Sequence, residues 1–79
     1  MAIEFNPSAE DITTFYNAML AAIRAGHKAS LKDAGEQAFR ILRTGDAPNW
    51  PYGPQAHKRF VELFTDDQRN AISAFFPIP

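Results

Sequence analysis

The fold is decided by the stretch GDAPNWPYGP, residues 45–54 of a 79-residue chain. It holds the single Trp, one of the two Tyr, three of the six Pro and two of the four Gly. Proline and glycine interrupt helices, and a residue that precedes proline favours extended backbone. The stretch therefore divides the chain into two parts. In both parts the apolar side chains recur at the three- and four-residue steps that are typical of helices.

A long helix is predicted at the start of the first part. Apolar side chains follow one helical face over residues 12–23, and Gly26 ends the pattern. Either Asn6 caps this helix with Pro7 at the first helical position, or Ser8 is the cap. The two interpretations differ by two residues, and the sequence does not distinguish between them.

A second long helix follows a short connection. Ser30 is a good N-cap, an apolar stripe runs through residues 31–44, and Gly45 ends the helix. Gly35 lies inside, where glycine costs about 1 kcal/mol relative to alanine. Because such a cost is usually offset by close packing, we expect another backbone near Gly35, with the alanine-rich face of the first helix as the candidate. The short connection predicts an antiparallel hairpin.

Two shorter helices are predicted after the proline-rich stretch. The first covers residues 54–64 and begins at a proline, which suits a first helical position. Thr65 and Gln68 have the spacing of a capping box, which opens a last helix over residues 66–75. Pro77 ends that helix.

The sequence therefore predicts an all-α, small four-helix domain that covers residues 1–79 as one unit. The two longer helices form a hairpin, and the two shorter helices follow the Pro/Gly/Trp loop. The predicted bounds are 8–25, 31–44, 54–64 and 66–75. Residues 1–5 are an alternative short extended arm, and the apolar tail is expected to pack Phe76 and Ile78 across the bundle.

Composition excludes several classes of protein. The chain has no Cys, so it has neither a disulfide framework nor a thiolate metal site. The N-terminal stretch lacks the basic and apolar regions of a secretory signal, and no apolar run approaches the roughly 18–20 residues that span a bilayer. We therefore expect a cytoplasmic protein without membrane contact.

Charge is unevenly distributed although the net charge is only −1. Residues 24–59 carry seven Lys or Arg against three Asp or Glu, whereas both ends of the chain are acidic. A net charge near zero argues against a dedicated nucleic-acid protein that relies on bulk charge. The basic middle segment is nevertheless compatible with a local contact to nucleic acid.

Two acidic pairs are the first candidates for chemistry. Glu10 with Asp11, and Asp66 with Asp67, stand in the first turns of predicted helices. Carboxylates at these positions complement the helix dipole and accept hydrogen bonds from free backbone N–H groups. This structural interpretation is favoured over general acid–base catalysis, since neither pair has an evident buried environment.

The two histidines give no metal motif. His27 and His57 have a spacing that matches no known ligand pattern, and each has a cationic neighbour that disfavours a metal ion. The isolated glycines form no phosphate-binding loop, and no nucleophile lies in a Gly-x-Ser-x-Gly setting. The sequence predicts no catalytic residues, no metal site and no cofactor.

The 45–54 segment itself has more than one interpretation. Its prolines recur every three residues, which is the period of a polyproline II helix. In the first interpretation, Trp50 and Tyr52 fold back and cover the open end of the bundle, where they add apolar area. In the second, the stiff backbone presents them as anchors for a partner. A third, in which the segment is a ligand for a proline-binding domain, is weaker because it lacks a fixed basic flank.

The first functional hypothesis is a non-enzymatic protein–protein interaction module that acts alone or as a small homo-oligomer, with another protein as its partner. The expected contact residues are Trp50, Tyr52, Arg40 and Arg43. Small single domains without chemistry are a common form of phage or mobile-element inhibitor of a host protein, for example of anti-CRISPR type. We therefore include that role in the hypothesis.

The alternative hypothesis is a small nucleic-acid-binding or transcription-regulating helical domain. Residues 22–43 have the outline helix, glycine-containing turn, helix, which weakly resembles a helix-turn-helix. Asp33 and Glu36 oppose this hypothesis because they would repel phosphate at the start of the second helix. The expected contacts in this case are Arg24, Lys28, Lys32, Arg40 and Arg43.

Overall fold

The computed structural model describes residues 6–76, and all regular structure in that range is helical. This confirms the predicted all-α four-helix domain. The elements are α1 (Ala9–Arg24), α2 (Leu31–Thr44), a 3₁₀ turn (Pro54–Ala56), α3 (His57–Leu63) and α4 (Asp66–Ser73). The extended arm proposed for residues 1–5 and the packing of Ile78 lie outside the described residues. No helix in the described range has the length and apolar character needed to cross a membrane.

The beginnings of the helices follow their local capping chemistry. Ser8, and not Asn6, caps α1: its Oγ accepts from the backbone N–H of Asp11 at 3.1 Å. Ser30 caps α2 in the same way. Thr65 and Gln68 form the predicted reciprocal capping box at the start of α4. Each cap satisfies a backbone donor that the helix itself leaves free.

The turn after α1 is a Schellman motif centred on Gly26. The backbone N–H of His27 donates to the carbonyl of Ala22, and that of Gly26 donates to the carbonyl of Ile23, both at 3.0 Å. Gly26 has a φ of 106°, which only glycine adopts easily. Glycine at this position therefore reverses the chain into the α1–α2 hairpin.

The two shorter helices differ from their predicted bounds. The third predicted helix begins with a 3₁₀ turn, in which Ala56 N–H donates to the Gly53 carbonyl three residues back, and becomes α-helical only at His57. The fourth ends at Ser73 and not at residue 75, since the N–H groups of Phe75 and Phe76 also bond three residues back. Tight turns of this kind are usual at helix ends.

The core lies where α1 and α2 pack against each other and against the shorter helices. Alanines are buried on both long helices, which lets the two backbones lie close together. Larger side chains from every helix and from the 45–54 segment complete this core: Phe15, Met19, Ile23, Leu42, Trp50, Phe60, Phe64 and Ile72. Phe76 packs against it as expected.

Gly35 does have a close neighbour, but the predicted neighbour was wrong. A Cβ on Gly35 would clash with the Cβ of His57 and lie 2.7 Å from its Cγ. At Gly35 itself, the close approach is therefore to the start of α3, whereas the buried alanines of α2 are the residues that pack with α1. His57 is buried, and its Nδ1–H donates to the carbonyl of Pro54 at 3.0 Å, which fixes the ring.

The 45–54 segment is not a continuous polyproline II helix. The backbone N–H of Trp50 donates to the carbonyl of Ala47 at 3.0 Å, which closes a four-residue turn. A polyproline II helix has no internal hydrogen bonds, so the three-residue spacing of the prolines was misleading here. Pro48 and Asn49 occupy the two central positions of this turn, where both residue types are favoured. The turn directs Trp50 into the core.

Candidate functional site

Trp50 lies at the centre of an aromatic cluster. Its ring stacks on Phe60, with centroids 5.7 Å apart, and on Phe15 at 6.4 Å. Phe15 and Phe60 stack on each other at 4.6 Å. Only 5% of Trp50 is exposed. Trp50 therefore covers the bundle, as the first interpretation had it, and a role of Trp50 as a partner contact stays a prediction.

Tyr52 connects the 45–54 segment to the start of α1. Its ring meets Phe60 edge-on at 5.1 Å, and its hydroxyl donates to Asp11 Oδ2 at 3.2 Å. Burial raises the pKa of the Tyr52 hydroxyl, and the hydrogen bond to Asp11 and its negative charge raise it further. The same carboxylate oxygen accepts from the backbone N–H of Ser8. Asp11 therefore contributes both to the capping box and to the attachment of the segment.

Arg43 also holds the segment in place. Its Nη1 donates to the carbonyl of Trp50 at 3.1 Å, and its guanidinium lies 5.6 Å from the ring centroid of Phe39. Arg40, one turn earlier, is exposed. Of the four residues predicted to contact a protein partner, Arg40 has an exposed side chain without a hydrogen bond or ion pair to the described residues. Arg43 and Tyr52 have structural roles, and Trp50 is buried.

A groove of about 560 Å³ runs between α1 and the end of α2. We call it the α1–α2 groove. It is lined by Glu10, Asp11, Thr14, Asn17, Ala18, Ala21, Ile41, Leu42, Asp46, Ala47 and Trp50. The first half of α1 thus lies beside the last turn of α2, as the antiparallel hairpin requires. The volume is in the range of about 300–1,000 Å³ that is usual for ligand-binding clefts.

The lining of the α1–α2 groove combines acidic, uncharged polar and apolar side chains. Three carboxylates line it, and no Lys, Arg or His does. Asp11 is engaged by Ser8 and Tyr52, whereas Glu10 and Asp46 are exposed and have no hydrogen-bond or ion-pair partner within residues 6–76. Ile41, which is 37% exposed, is among the apolar side chains. This groove was not predicted from the sequence, because its walls are at least 20 residues apart along the chain.

The residues predicted to contact nucleic acid form two separate groups. Arg24 and Lys28 lie with Lys32 around the α1–α2 turn, whereas Arg40 and Arg43 lie about 12–16 Å further along α2. Glu36 stands between the groups and pairs with Lys32 at 3.9 Å. Arg43 is already bound to the Trp50 carbonyl.

The acidic pairs lie in the first turns of helices, as the sequence predicted, whereas the packing of His57 against Gly35 was not predicted. Asp11 and the Asp66–Asp67 pair lie in first turns of helices, where they complement the helix dipole. His57 is a buried residue that packs on Gly35, and only the unexplained glycine inside α2 indicated such a contact. Within residues 6–76, no three His, Asp or Glu side chains lie close enough together to hold a metal ion.

The structure thus places one open groove, with free carboxylates at its edges, next to a buried aromatic cluster. Comparisons of the chain with protein-family models, with curated proteins and with solved structures find no match.

Proposed function

We propose that this protein is a non-enzymatic protein–protein interaction module that binds its partner in the α1–α2 groove. The observation that carries the proposal is the groove itself, which combines apolar side chains with two carboxylates that no described residue engages. Apolar contact area with a few polar groups at the edge is the usual composition of a binding cleft.

The groove is also formed by rigid elements. One wall is a four-turn helix whose cap is fully formed, and the other is the end of α2 together with the segment that Arg43 and Tyr52 hold. A preformed surface loses little conformational entropy when a partner binds. This supports a role in recognition.

Capture of partners from source-cell lysate tests the proposal. The tagged protein is compared with Ala21→Phe, which fills the groove at an exposed position, and with Asn70→Phe, which adds the same ring at an exposed position of α4. We expect a stoichiometric partner that the wild type and Asn70→Phe retain and Ala21→Phe loses. A partner that Ala21→Phe retains would place the interaction surface elsewhere.

Arg40→Glu addresses the contact predicted from the sequence. Arg40 is exposed on α2, directly before Ile41, so charge reversal there changes the surface and leaves the core intact. Arg43 is unsuitable for this purpose, because its substitution also releases the Trp50 carbonyl. Loss of the partner with Arg40→Glu would extend the interface to the outer side of α2.

Whether the partner is a host defence protein stays a hypothesis that rests on the size of the chain and its lack of catalytic motifs. The identity of a captured partner tests it: a host protein whose activity falls when the module is added supports inhibition. A partner whose activity is unchanged contradicts it. If nucleic acid is recovered in place of a protein, the alternative function gains support.

A further inference from the structure

We infer that the occupant of the α1–α2 groove is a basic peptide segment of the partner, with a Lys or Arg next to small or branched apolar side chains. This inference rests on the proposed function and names the chemistry of the partner. It follows from three properties of the groove: its charge, its apolar lining and the unpaired indole at its wall.

The charge of the groove selects a cation. All three ionisable side chains that line it are carboxylates, and Glu10 and Asp46 have no partner within the described residues. A guanidinium or ammonium group between them would gain charge-assisted hydrogen bonds, whereas phosphates would be repelled. Nucleic acids and anionic lipid surfaces are therefore poor occupants of this groove.

The apolar lining requires more than a cation. Ala18, Ala21, Ile41 and Ala47 border the same space. A hydrated metal ion or a polyamine gains little from such a surface, because neither brings apolar side chains to bury. A peptide supplies a basic residue and apolar neighbours in one chain.

The buried indole favours a peptide over other organic cations. Trp50 forms part of the groove wall, and its Nε1–H is buried with no acceptor among the described residues. An unpaired buried donor is unfavourable, so a small shift of Trp50 that brings its Nε1–H to an acceptor in the groove would stabilise the complex. Backbone carbonyls of a peptide are such acceptors, and a polyamine has none. Trp50 is also the only Trp, so its fluorescence reports on the groove.

The test begins with a library of random twelve-residue peptides displayed on phage, selected on the full-length protein. Enriched peptides without Trp are synthesised, and their binding is measured from the change in Trp50 fluorescence. The double variant Glu10→Gln with Asp46→Asn removes both free carboxylates. The matched control, Glu62→Gln with Asp67→Asn, makes the same change of charge outside the groove, and Asp67 occupies the same helical position in α4 as Glu10 in α1.

We expect enriched peptides to carry Lys or Arg beside an apolar residue. Their Kd should rise at least tenfold in the Glu10→Gln, Asp46→Asn variant and stay within twofold in the control, and spermidine should not compete at similar concentrations. The inference would be overturned if no peptide is enriched over the empty matrix, or if the enriched peptides lack basic residues. It would also be overturned if both double variants bind equally well or if spermidine competes.

The two proposals fail in different ways. A lysate partner that is lost with Ala21→Phe but retained with Glu10→Gln and Asp46→Asn would keep the groove as the interface and reject a basic occupant. A lysate partner that is retained with Ala21→Phe would reject the groove, and with it both proposals.

Discussion

The two sides of Trp50 have opposite properties. On one side, Phe15 and Phe60 stack on the indole in a cluster that excludes solvent. On the other side, the same residue borders an open groove with free carboxylates. Stability therefore depends on the aromatic cluster, and recognition depends on the groove residues. Trp50 belongs to both. Substitutions in the cluster should change the free energy of unfolding, and substitutions at the edge of the groove should change only binding.

The largest effect is expected from Phe60→Ala. Phe60 is fully buried and contacts three other rings among residues 6–76, so its truncation should lower the free energy of unfolding by about 3–5 kcal/mol. That is comparable with the whole stability of a small domain, about 5 kcal/mol at the low end. Urea denaturation followed by far-ultraviolet circular dichroism measures it. Leu63→Ala, on the same helix but 47% exposed, is the control and should cost clearly less.

Gly35→Ala should have the next largest effect on the free energy of unfolding. Alanine improves helix propensity by about 1 kcal/mol, but the new methyl group meets the Cβ and Cγ of His57, and overpacking of this kind costs about 1–3 kcal/mol. We expect a net loss of about 1 kcal/mol in the free energy of unfolding, measured by urea denaturation.

A double-mutant cycle sharpens this prediction. His57→Gly removes the atoms that the new methyl group would meet, so Gly35→Ala should become stabilising in that background. A stabilising effect of Gly35→Ala alone would mean that α2 and α3 can separate without cost, which contradicts the close contact.

Tyr52→Phe should have a smaller effect that depends on pH. Loss of the hydrogen bond to Asp11 should cost about 0.5–1.5 kcal/mol near neutral pH. The folded state raises the pKa of Tyr52, so the folded protein holds this proton more tightly than the unfolded chain. Its contribution is present below the unfolded pKa of about 10 and is lost as pH rises through the folded pKa.

The difference in stability between the wild type and Tyr52→Phe should therefore narrow as pH rises above about 10. Urea midpoints of both proteins across that range measure the change, and comparison of the two variants cancels titration of all other groups. A difference that stays constant with pH would show that the Tyr52 hydroxyl contributes nothing through its ionisation.

The smallest effect is expected at the groove. Glu10→Gln with Asp46→Asn removes two exposed carboxylates without structural partners in the described range, and its free energy of unfolding should stay within about 0.5–1 kcal/mol of the wild type. Thermal and urea denaturation beside the Glu62→Gln, Asp67→Asn control measure this. A loss clearly above about 1 kcal/mol would contradict the separation between the two sides of Trp50.

The sequence predicted features that neighbouring residues determine. The caps at Ser30 and Thr65 and the bounds of α2 depend on interactions within a few residues, so they were predicted correctly. The neighbour of Gly35 and the groove depend on residues that are distant in sequence. The polyproline II interpretation failed because proline spacing limits the backbone but does not exclude the turn at Ala47–Trp50.

The contact between Gly35 and His57 has an evolutionary consequence. Since a methyl group at position 35 costs stability unless position 57 gives up its own side chain, we expect the two positions to vary together among homologous chains. A glycine inside a helix, followed 22 residues later by a histidine at the start of another, is then the pair of residues that this contact would keep together. Together with a single Trp between them, it offers a pattern by which distant relatives of this chain can be recognised.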